Sequence, residues 1–167
     1  MAWEALAPAK INLFLHVGAP TADGYHPLCS LMVFADVGDR LEVHPSDAMS
    51  LRLRGPFAAG LEGRLDDNLV LRAARALGER LQRPLAPQSL ILDKRVPIAA
   101  GLGGGSSDAG AALRMLREIW VPDLPDSELE VVAASLGADG AACLWGRPTL
   151  AQGRGEVLSP EIGRAHV

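Results

Sequence analysis

The strongest constraint in this sequence is a run of four glycines and two serines within seven residues, Gly-Leu-Gly-Gly-Gly-Ser-Ser at positions 101–107. A strand-like segment precedes the run, and a helical pattern follows it. Glycine permits positive φ and close approach of the backbone to a ligand, so successive N–H groups can point into one concavity. A helix that starts there adds its free N–H groups and the positive end of its dipole. The run therefore predicts an anion site suited to phosphate, with a flexible strand-to-helix turn as the alternative.

Three widespread phosphate loops do not fit this run. The P-loop pattern ends in Gly-Lys followed by Ser or Thr, whereas no lysine follows these glycines. The dinucleotide-binding pattern requires a third glycine at the position where this chain has Ser106. The glycine-rich loop of protein kinases lies between strands, whereas this one opens a helix. The run therefore indicates a different kind of phosphate site.

Alternation of apolar and polar residues predicts that the first half of the chain is mostly β-strand. Turn-forming Asp, Gly, Pro and Ser separate the segments. The predicted strands cover residues 10–17, 31–35, 40–44, 50–54 and 88–94, and the segments 141–144 and 149–158 are predicted as final strands.

Apolar residues recur at helical spacing in three later segments. The predicted helices cover residues 68–81, 107–120 and 127–136. Asn68 is a suitable N-cap for the first helix. Ser127 and Glu130 have the spacing of a capping box, which predicts where the third helix begins. Strands followed by interleaved helices and strands predict an α+β fold.

Composition excludes several classes of protein. The 167 residues suffice for one domain with a core but are few for two. The formal net charge is −4, which argues against a nucleic-acid-binding protein. No uncharged stretch approaches the roughly 18 residues that a transmembrane helix needs, and the first residues lack the pattern of a secretory signal. Cys29 and Cys143 have no metal-binding spacing and favour a reducing compartment, the cytoplasm.

Lysine is rare in this chain. Of the 16 basic residues only Lys10 and Lys94 are lysines, and the rest are arginines. A general compositional preference for arginine explains this count. Alternatively, these two sites require a compact ammonium group rather than a planar guanidinium group.

Three segments together resemble a known family. Residues 97–107 (PIAAGLGGGSS) resemble the phosphate loop of the GHMP kinases, which include galactokinase, homoserine kinase, mevalonate kinase and phosphomevalonate kinase. Residues 8–17 (PAKINLFLHV) and 22–26 (ADGYH) narrow the resemblance to the 4-diphosphocytidyl-2-C-methyl-D-erythritol kinases. Segments 67–70 and 135–139 fall in the family's order, so the resemblance covers residues 5–158.

The resemblance implies transfer of the γ-phosphoryl group of ATP to the 2-hydroxyl of 4-diphosphocytidyl-2-C-methyl-D-erythritol, a step of the non-mevalonate route to isoprenoid precursors. It implies the fold that GHMP kinases share with ribosomal protein S5 domain 2, a mixed sheet with helices packed on it. It makes Asp139 the catalytic base and Lys10 its catalytic neighbour at the reacting hydroxyl. Mg²⁺ is expected because it neutralises the β- and γ-phosphates. Ser107 is a candidate ligand, and the other metal ligands stay open.

The resemblance also implies binding roles. Tyr25 is expected to stack on the cytosine ring, His26 to hydrogen-bond that base, and Asn12 to lie near the substrate hydroxyls. The residues expected to bind ATP are Asn68, Lys94, Pro97, Gly101, Leu102, Gly103, Gly104, Gly105, Ser106 and Ser107.

Each of these roles has an ordinary structural alternative. Asp139 fits a turn after a helix, and Lys10 fits a surface position on a strand. Tyr25 with its histidine neighbour fits a core pair, Asn68 a helix cap, and Lys94 the end of a strand. Without the resemblance, the turn would be the favoured interpretation for Asp139.

Two features depart from the family pattern. Residues 140–143 (Gly-Ala-Ala-Cys) stand where the family has an apolar, proline-bearing stretch, and such small residues would loosen the strand expected to hold Asp139. Residues 161–167 (EIGRAHV) do not resemble the family continuation. We therefore expect residues 1–160 to form the N-terminal ATP-binding domain, residues 161–167 to be an unrelated tail, and the family's C-terminal domain to be absent.

Two other functions stay open at this point. One is a non-catalytic ATP-binding fragment, which would bind the nucleotide without closing on an acceptor. The other is a GHMP kinase with a different acceptor, of the mevalonate or homoserine type, although the ADGYH segment argues against it.

Overall fold

Strand β2 is the centre of a mixed six-stranded sheet. The computed structural model describes residues 2–61, 65–155 and 157–159, so the predicted tail 161–167 lies outside the described residues. The strands are β1 (Trp3–Val17), β2 (Leu28–Pro45), β3 (Ser50–Arg54), β4 (Gln88–Asp93), β5 (Thr149–Gly153) and β6 (Val157–Ser159). The helices are α1 (Leu69–Leu81), α2 (Gly104–Trp120), α3 (Asp126–Ser135) and α4 (Gly140–Trp145), with short 3₁₀ turns at Ala58–Leu61 and Leu65–Asp67. This architecture confirms the predicted α+β class.

Strand β2 pairs on both of its edges. On one edge it lies antiparallel to β1, and on the other it pairs with β4 through residues 40–45 and with β5 through residues 28–32. Strand β3 lies parallel to β4, and β6 lies antiparallel to β5. The sequence predicted two separate strands where β2 is continuous. Strand β2 is continuous because it pairs with β1 on both sides of a β-bulge. At this bulge a single β1 residue lies opposite residues 35–37 of β2.

The core lies between the sheet and the helices. Leu41, Val43, Leu90 and Leu92 alternate onto the buried face of β2 and β4, as the period of two predicts. They pack with fully buried leucines of three helices, namely Leu77 of α1, Leu113 and Leu116 of α2, and Leu129 of α3. The apolar faces predicted for the strands and for the helices therefore pack against each other in one core.

The helix starts differ in how well they were predicted. Asn68 caps α1 as expected, because its Oδ1 accepts a hydrogen bond from the Val70 N–H at 2.9 Å. Helix α2 begins at Gly104, three residues earlier than predicted, because loop glycines themselves adopt helical geometry. The predicted capping box is wrong. Helix α3 begins at Asp126 after an N-cap proline, Pro125, which makes no side-chain cap.

The predicted strand at 141–144 is also wrong, because these residues form part of helix α4. The segment contains no β-branched residue, and the Cys143 N–H donates to the Asp139 carbonyl at 2.9 Å. At Gly140 the chain approaches α3 so closely that an added Cβ would lie 1.9 Å from the Ala133 carbonyl oxygen. Asp139 is therefore held by packing of a short helix rather than by a strand.

Within the residues that the structure describes, none of the helices is both long and apolar enough to cross a bilayer.

Candidate active site

A cavity of about 690 Å³ lies against the glycine loop. Its lining includes nearly all the residues predicted to bind ATP, namely Asn68, Lys94, Pro97, Gly101, Leu102, Gly103, Gly104, Gly105 and Ser106. The start of α1 supplies the opposite wall, through Leu69 and Arg72. The structure therefore brings the loop and the α1 cap to one cavity.

The N-terminus of α2 forms the floor of this loop. Gly103 occupies the N-cap in a left-handed conformation with φ of 63°, and no side chain caps the helix. The Ser107 N–H donates the first backbone hydrogen bond of α2, to the Gly103 carbonyl at 2.9 Å. The N–H groups of residues 104–106 precede that bond and carry the positive end of the dipole of a 17-residue helix. This arrangement suits a phosphate group.

Ser107 does not lie in the cavity lining. Its side chain is fully buried, and its Oγ has no hydrogen-bond partner. The Ser107 hydroxyl therefore does not face the cavity, which weighs against its expected role as a metal ligand. Its contribution to the loop is the backbone bond to Gly103.

Lys10 and Asp139 form an ion pair next to the loop. The Lys10 Nζ lies 3.0 Å from the Asp139 Oδ2, and the two side chains are 7% and 32% exposed. Asp139 is the N-cap residue of α4, yet its carboxylate makes no cap hydrogen bond. Its oxygens are therefore available to Lys10 and to a hydroxyl that approaches from solvent.

Strand β1 holds Lys10 directly against the glycine loop. At the bulge in the β1–β2 pairing, the Lys10 N–H donates to the Leu102 carbonyl at 2.8 Å. An added Cβ on Gly103 would lie 3.0 Å from Lys10 Cβ and Cε, so the loop packs on the lysine stem. Lys10 and the anion site are therefore fixed relative to each other.

Asn12 extends the polar network away from Lys10. The Lys10 Nζ donates to Asn12 Oδ1 at 2.9 Å, and Asn12 Nδ2 donates to Ser30 Oγ at 2.6 Å. Ser30 Oγ in turn donates to the Phe14 carbonyl at 2.8 Å. This chain of bonds fixes the orientation of the Asn12 amide beside the ion pair.

Tyr25 and His26 lie in the turn before β2, outside the lining of the cavity. Tyr25 is 54% exposed, which excludes the alternative of a core tyrosine. The Arg154 guanidinium covers one face of its ring at 3.8 Å from the centroid, so the other face is the one left for stacking. His26 Nδ1 lies 2.9 Å from the Gly18 carbonyl oxygen. Because a carbonyl can only accept, Nδ1 is the donor in this contact, and in the neutral imidazole Nε2 is the acceptor nitrogen.

Lys94 lies in a buried cluster with two carboxylates. Its Nζ donates to Asp39 Oδ2 and, at 2.8 Å, to Asp108 Oδ2, and all three side chains are nearly inaccessible. Burial acts to lower the pKa of Lys94, but the two carboxylates raise it on balance. Burial raises the pKa of Asp108 to about 7 in spite of Lys94. Lys94 is therefore engaged by two carboxylates at the base of the cavity that it lines.

The contribution of Asp108 to folding stability is expected to fall as pH rises. Its pKa is raised from 3.8 to about 7, so between these values the folded state binds more protons than the unfolded state. The contribution is therefore fully present below pH 3.8 and lost as pH rises through about 7. Urea unfolding of wild type and Asp108→Asn across this range should show the variant gaining relative stability with pH.

Asp93→Asn is the matched control for that measurement. The Arg95 and Arg54 side chains lower the pKa of Asp93. Its stabilising contribution is therefore present above its unfolded value of 3.8 and lost as pH falls. A constant stability difference between wild type and Asp108→Asn over this pH range would contradict the expectation.

Sequence reasoning missed Asp39, Asp108 and Ser30. Asp39 lies between Gly38 and Arg40 in the sequence, and Asp108 follows two serines, so neither carboxylate stands out from its neighbours. The scarcity of lysine drew attention to Lys94 but indicated no partner for it. Ser30 gave no signal in the sequence, because its role depends on the register between β1 and β2.

Comparisons with known proteins identify relatives of this chain. The model of the GHMP kinases N terminal domain matches residues 68–147. A 4-diphosphocytidyl-2-C-methyl-D-erythritol kinase of Caulobacter sp. (strain K31) is 64% identical over 161 residues, which make up 96% of this chain and 54% of the relative. A kinase of the same name from Chelativorans sp. (strain BNC1) is 46% identical over an equal length. The chain spans about half the length of the curated relatives it matches.

Solved structures also resemble this chain. The crystal structure of a 4-(cytidine 5'-diphospho)-2C-methyl-D-erythritol kinase is 40% identical, with a TM-score of 0.77 over 95% of this chain and 55% of that chain. The crystal structure of a mevalonate kinase, at 14% identity and a TM-score of 0.67, shares the fold. The match of residues 68–147 to the family model, together with the alignment of nearly the whole chain with kinases of one name, shows that this chain contains a GHMP kinases N terminal domain.

Proposed function

We propose that this chain carries the nucleotide-binding and catalytic part of a kinase that transfers the γ-phosphoryl group of ATP to the 2-hydroxyl of 4-diphosphocytidyl-2-C-methyl-D-erythritol. The observation that carries the proposal is the Lys10–Asp139 ion pair, held against a loop built for an anion. The names of the relatives support the acceptor, and the family supports ATP as the donor. In this proposal residues 1–160 are the N-terminal domain of that kinase.

The glycine loop would hold the ATP phosphates. Residues 101–106 line the cavity, and the N-terminus of α2 stabilises negative charge there. The nucleoside would extend toward the start of α1, where Asn68 lines the same cavity. The Asn68 Oδ1 serves the helix cap, and its Nδ2 keeps two donors for a ligand.

Asp139 and Lys10 would carry out the transfer. The acceptor hydroxyl gives its proton to the Asp139 carboxylate as its oxygen bonds to the γ-phosphorus. The bond between that phosphorus and the β,γ-bridging oxygen breaks, and ADP leaves. Lys10, whose Nζ lies 3.0 Å from the Asp139 Oδ2, stabilises the negative charge that develops on the transferred group. Alignment of the reactants supplies much of the rate, since phosphoryl transfer needs little covalent help.

Mg²⁺ would enter with ATP as part of the substrate. Among the residues that the structure describes, there is no group of three or more His, Cys, Asp or Glu that could hold a metal ion. Mg²⁺ in phosphoryl-transfer sites commonly keeps water ligands and is held through substrate phosphates with one or two protein groups. The ATP phosphates at the loop therefore suit it better than an all-protein site.

The turn before β2 would receive the cytidine group. The open face of Tyr25 suits stacking on a pyrimidine ring. The free Nε2 of His26 suits a donor such as the amino group of cytosine. Asn12, fixed between Lys10 and Ser30, lies where it can bond the acceptor hydroxyls.

Tyr25→Ala is expected to raise the KM for the acceptor by about tenfold or more, because a base stacked on an aromatic ring contributes about 1–3 kcal/mol. Tyr25→Phe keeps the ring and should retain most of the affinity. Steady-state kinetics with the acceptor varied at saturating ATP would measure both. An unchanged acceptor KM in Tyr25→Ala would contradict the stacking role.

The direct test of the function is product formation. The purified chain is incubated with Mg-ATP and 4-diphosphocytidyl-2-C-methyl-D-erythritol, and mass spectrometry detects acceptor that has gained one phosphate. Parallel reactions contain mevalonate or homoserine. Product with the first acceptor alone, lost in Asp139→Asn, is the expected result.

The other outcomes separate the remaining functions. Product with mevalonate or homoserine would identify a GHMP kinase with another acceptor. ATP binding without product would identify a non-catalytic nucleotide-binding fragment.

Both cysteines are free thiols, which supports a reducing compartment, and we place the reaction in the cytoplasm.

A further inference from the structure

Asp39 lies beneath the segment that leads into the glycine loop and binds the backbone of that segment. It is a β2 residue with no exposed surface. Its Oδ1 accepts hydrogen bonds from the Arg95 N–H at 2.5 Å and the Val96 N–H at 2.8 Å. These two peptide groups immediately precede the cavity-lining segment that begins at Pro97. A carboxylate that accepts from backbone N–H groups makes strong, directional hydrogen bonds.

Lys94 connects Asp39 to the other end of the loop. Its Nζ donates to Asp39 Oδ2 on one side and to Asp108 Oδ2, in the second turn of α2, on the other. Gly104, the first residue of α2, rests on this cluster. A Cβ added there would lie 3.4 Å from Lys94 Nζ and 3.5 Å from Asp39 Oδ2. One carboxylate of β2 is thereby connected to both ends of the segment 97–103.

We propose that Asp39 and Lys94 are positioning residues that fix both ends of the glycine loop, so that its N–H groups are already oriented when an anion binds. The identity of that anion as a phosphate of ATP rests on the proposed function. We call the contacts of Asp39 and Lys94 with the two ends of the loop the clamp. The clamp is inferred from contacts within the free chain and does not depend on the identity of the anion. Neither residue needs to touch the nucleotide in this role.

The cost of the cluster supports a positioning role over a purely stabilising one. Buried ion pairs are often no better for stability than apolar residues of similar size, because desolvation offsets the attraction. Here the cluster also leaves the Asp108 Oδ1 buried without a partner. The cluster instead fixes the orientation of two backbone N–H groups, those of Arg95 and Val96, and of the first turns of α2. A preorganised donor loop is what anion binding requires.

Hydrogen exchange measured by mass spectrometry on the free chain tests the clamp. In Asp39→Asn one oxygen becomes an amino group, so either the backbone bonds or the bond to Lys94 is lost. We expect exchange of the hydrogen-bonded amides at the two ends of the loop, Arg95 and Val96 before it and Ser107 after it, to become at least about tenfold faster, as the loss of a charge-assisted bond implies. Exchange in α1 should stay at the wild-type rate, whereas a general loss of stability would raise both.

Asp93→Asn is the matched control. Asp93 is also a nearly buried aspartate in this part of the sheet, but its partners are the side chains of Arg95 and Arg54. The Asp93→Asn variant should show the same difference between the exchange rates of the loop and of α1 as the wild type. If Asp39→Asn behaves as Asp93→Asn does, or accelerates exchange equally in α1, the proposal is overturned.

A second variant serves if Asp39→Asn does not fold. Asp108→Ala breaks only the Lys94 contact to α2 and also removes a carboxylate whose ionised form is disfavoured by burial. We expect about tenfold faster exchange confined to the first hydrogen-bonded amides of α2, at residues 107 and 108. Wild-type exchange there would overturn the role of Lys94.

Binding of Mg-ATP, followed by calorimetry, separates this inference from the proposed function. Asp39→Asn should weaken binding by about tenfold or more in a chain that is otherwise folded. If the wild-type chain binds no ATP, the proposed nucleotide function fails, while the exchange experiment still decides whether the clamp exists. An unchanged ATP affinity alongside a loosened loop would overturn the preorganising role.

Discussion

Asp139→Asn is expected to lower the turnover number of phosphoryl transfer by on the order of 10²-fold or more, and Lys10→Met by a similar factor. The first change removes the proton acceptor, and the second removes the cation that lies 3.0 Å from it. Because the two residues act as one unit, the double variant should be little worse than either single variant. Initial rates of product formation, measured by mass spectrometry, provide the comparison.

A second ion pair of the same sheet serves as the control. Arg40 pairs with Glu4 at 3.0 Å between β2 and β1, and both side chains are well exposed. Such a surface pair contributes little to stability, so Arg40→Met should keep normal turnover. Near-normal turnover in both Asp139→Asn and Lys10→Met would remove the catalytic assignment.

Gly140→Ala is expected to destabilise the fold by about 3 kcal/mol or more and to lower turnover with it. The new Cβ would lie 1.9 Å from the Ala133 carbonyl oxygen, a backbone atom of α3 that cannot turn aside. Helices α3 and α4 would have to separate, and Asp139 is the residue immediately before α4. Urea unfolding measures the stability, and turnover per folded molecule measures the displacement of Asp139.

The same substitution at Gly78 should have the opposite effect. Gly78 lies within α1, and the nearest atom to an added Cβ is a methyl group of Leu85 at 3.3 Å, which can move. Alanine is favoured over glycine in a helix by roughly 0.5–1 kcal/mol, so Gly78→Ala should stabilise the chain. If Gly140→Ala has the stability of Gly78→Ala, the packing of α4 on α3 is not what holds Asp139.

Local patterns predicted the parts of the fold that local physics determines. Alternation predicted β3 and β4 to within a residue, and the Asn68 cap marked the start of α1. Helix α4 could not be predicted, because Gly140 is required by a contact with α3 rather than by its neighbours in sequence. The capping box at Ser127 failed for a related reason, since a proline began the helix two residues earlier.

The candidate site was predicted unevenly. The glycine loop could be recognised from its residues, because close backbone approach to an anion needs glycine at adjacent positions. Lys10 and Asp139 are far apart in sequence, and only the family resemblance paired them. The clamp beneath the loop was not predicted, since Asp39 and Asp108 meet Lys94 only after β2, β4 and α2 have packed together.

The two lysines give the folded chain an unusual chemical property. Both side-chain amines, Lys10 and Lys94, are buried and paired with carboxylates, and every other basic side chain is an arginine or a histidine. A protonated, covered amine is a poor nucleophile toward acylating reagents. Acylation at Lys94 should therefore occur only in molecules that have locally unfolded. The rate of acylation would then report how often the chain unfolds around Lys94. Acylation at Lys10 should be slowed further when a ligand fills the neighbouring loop.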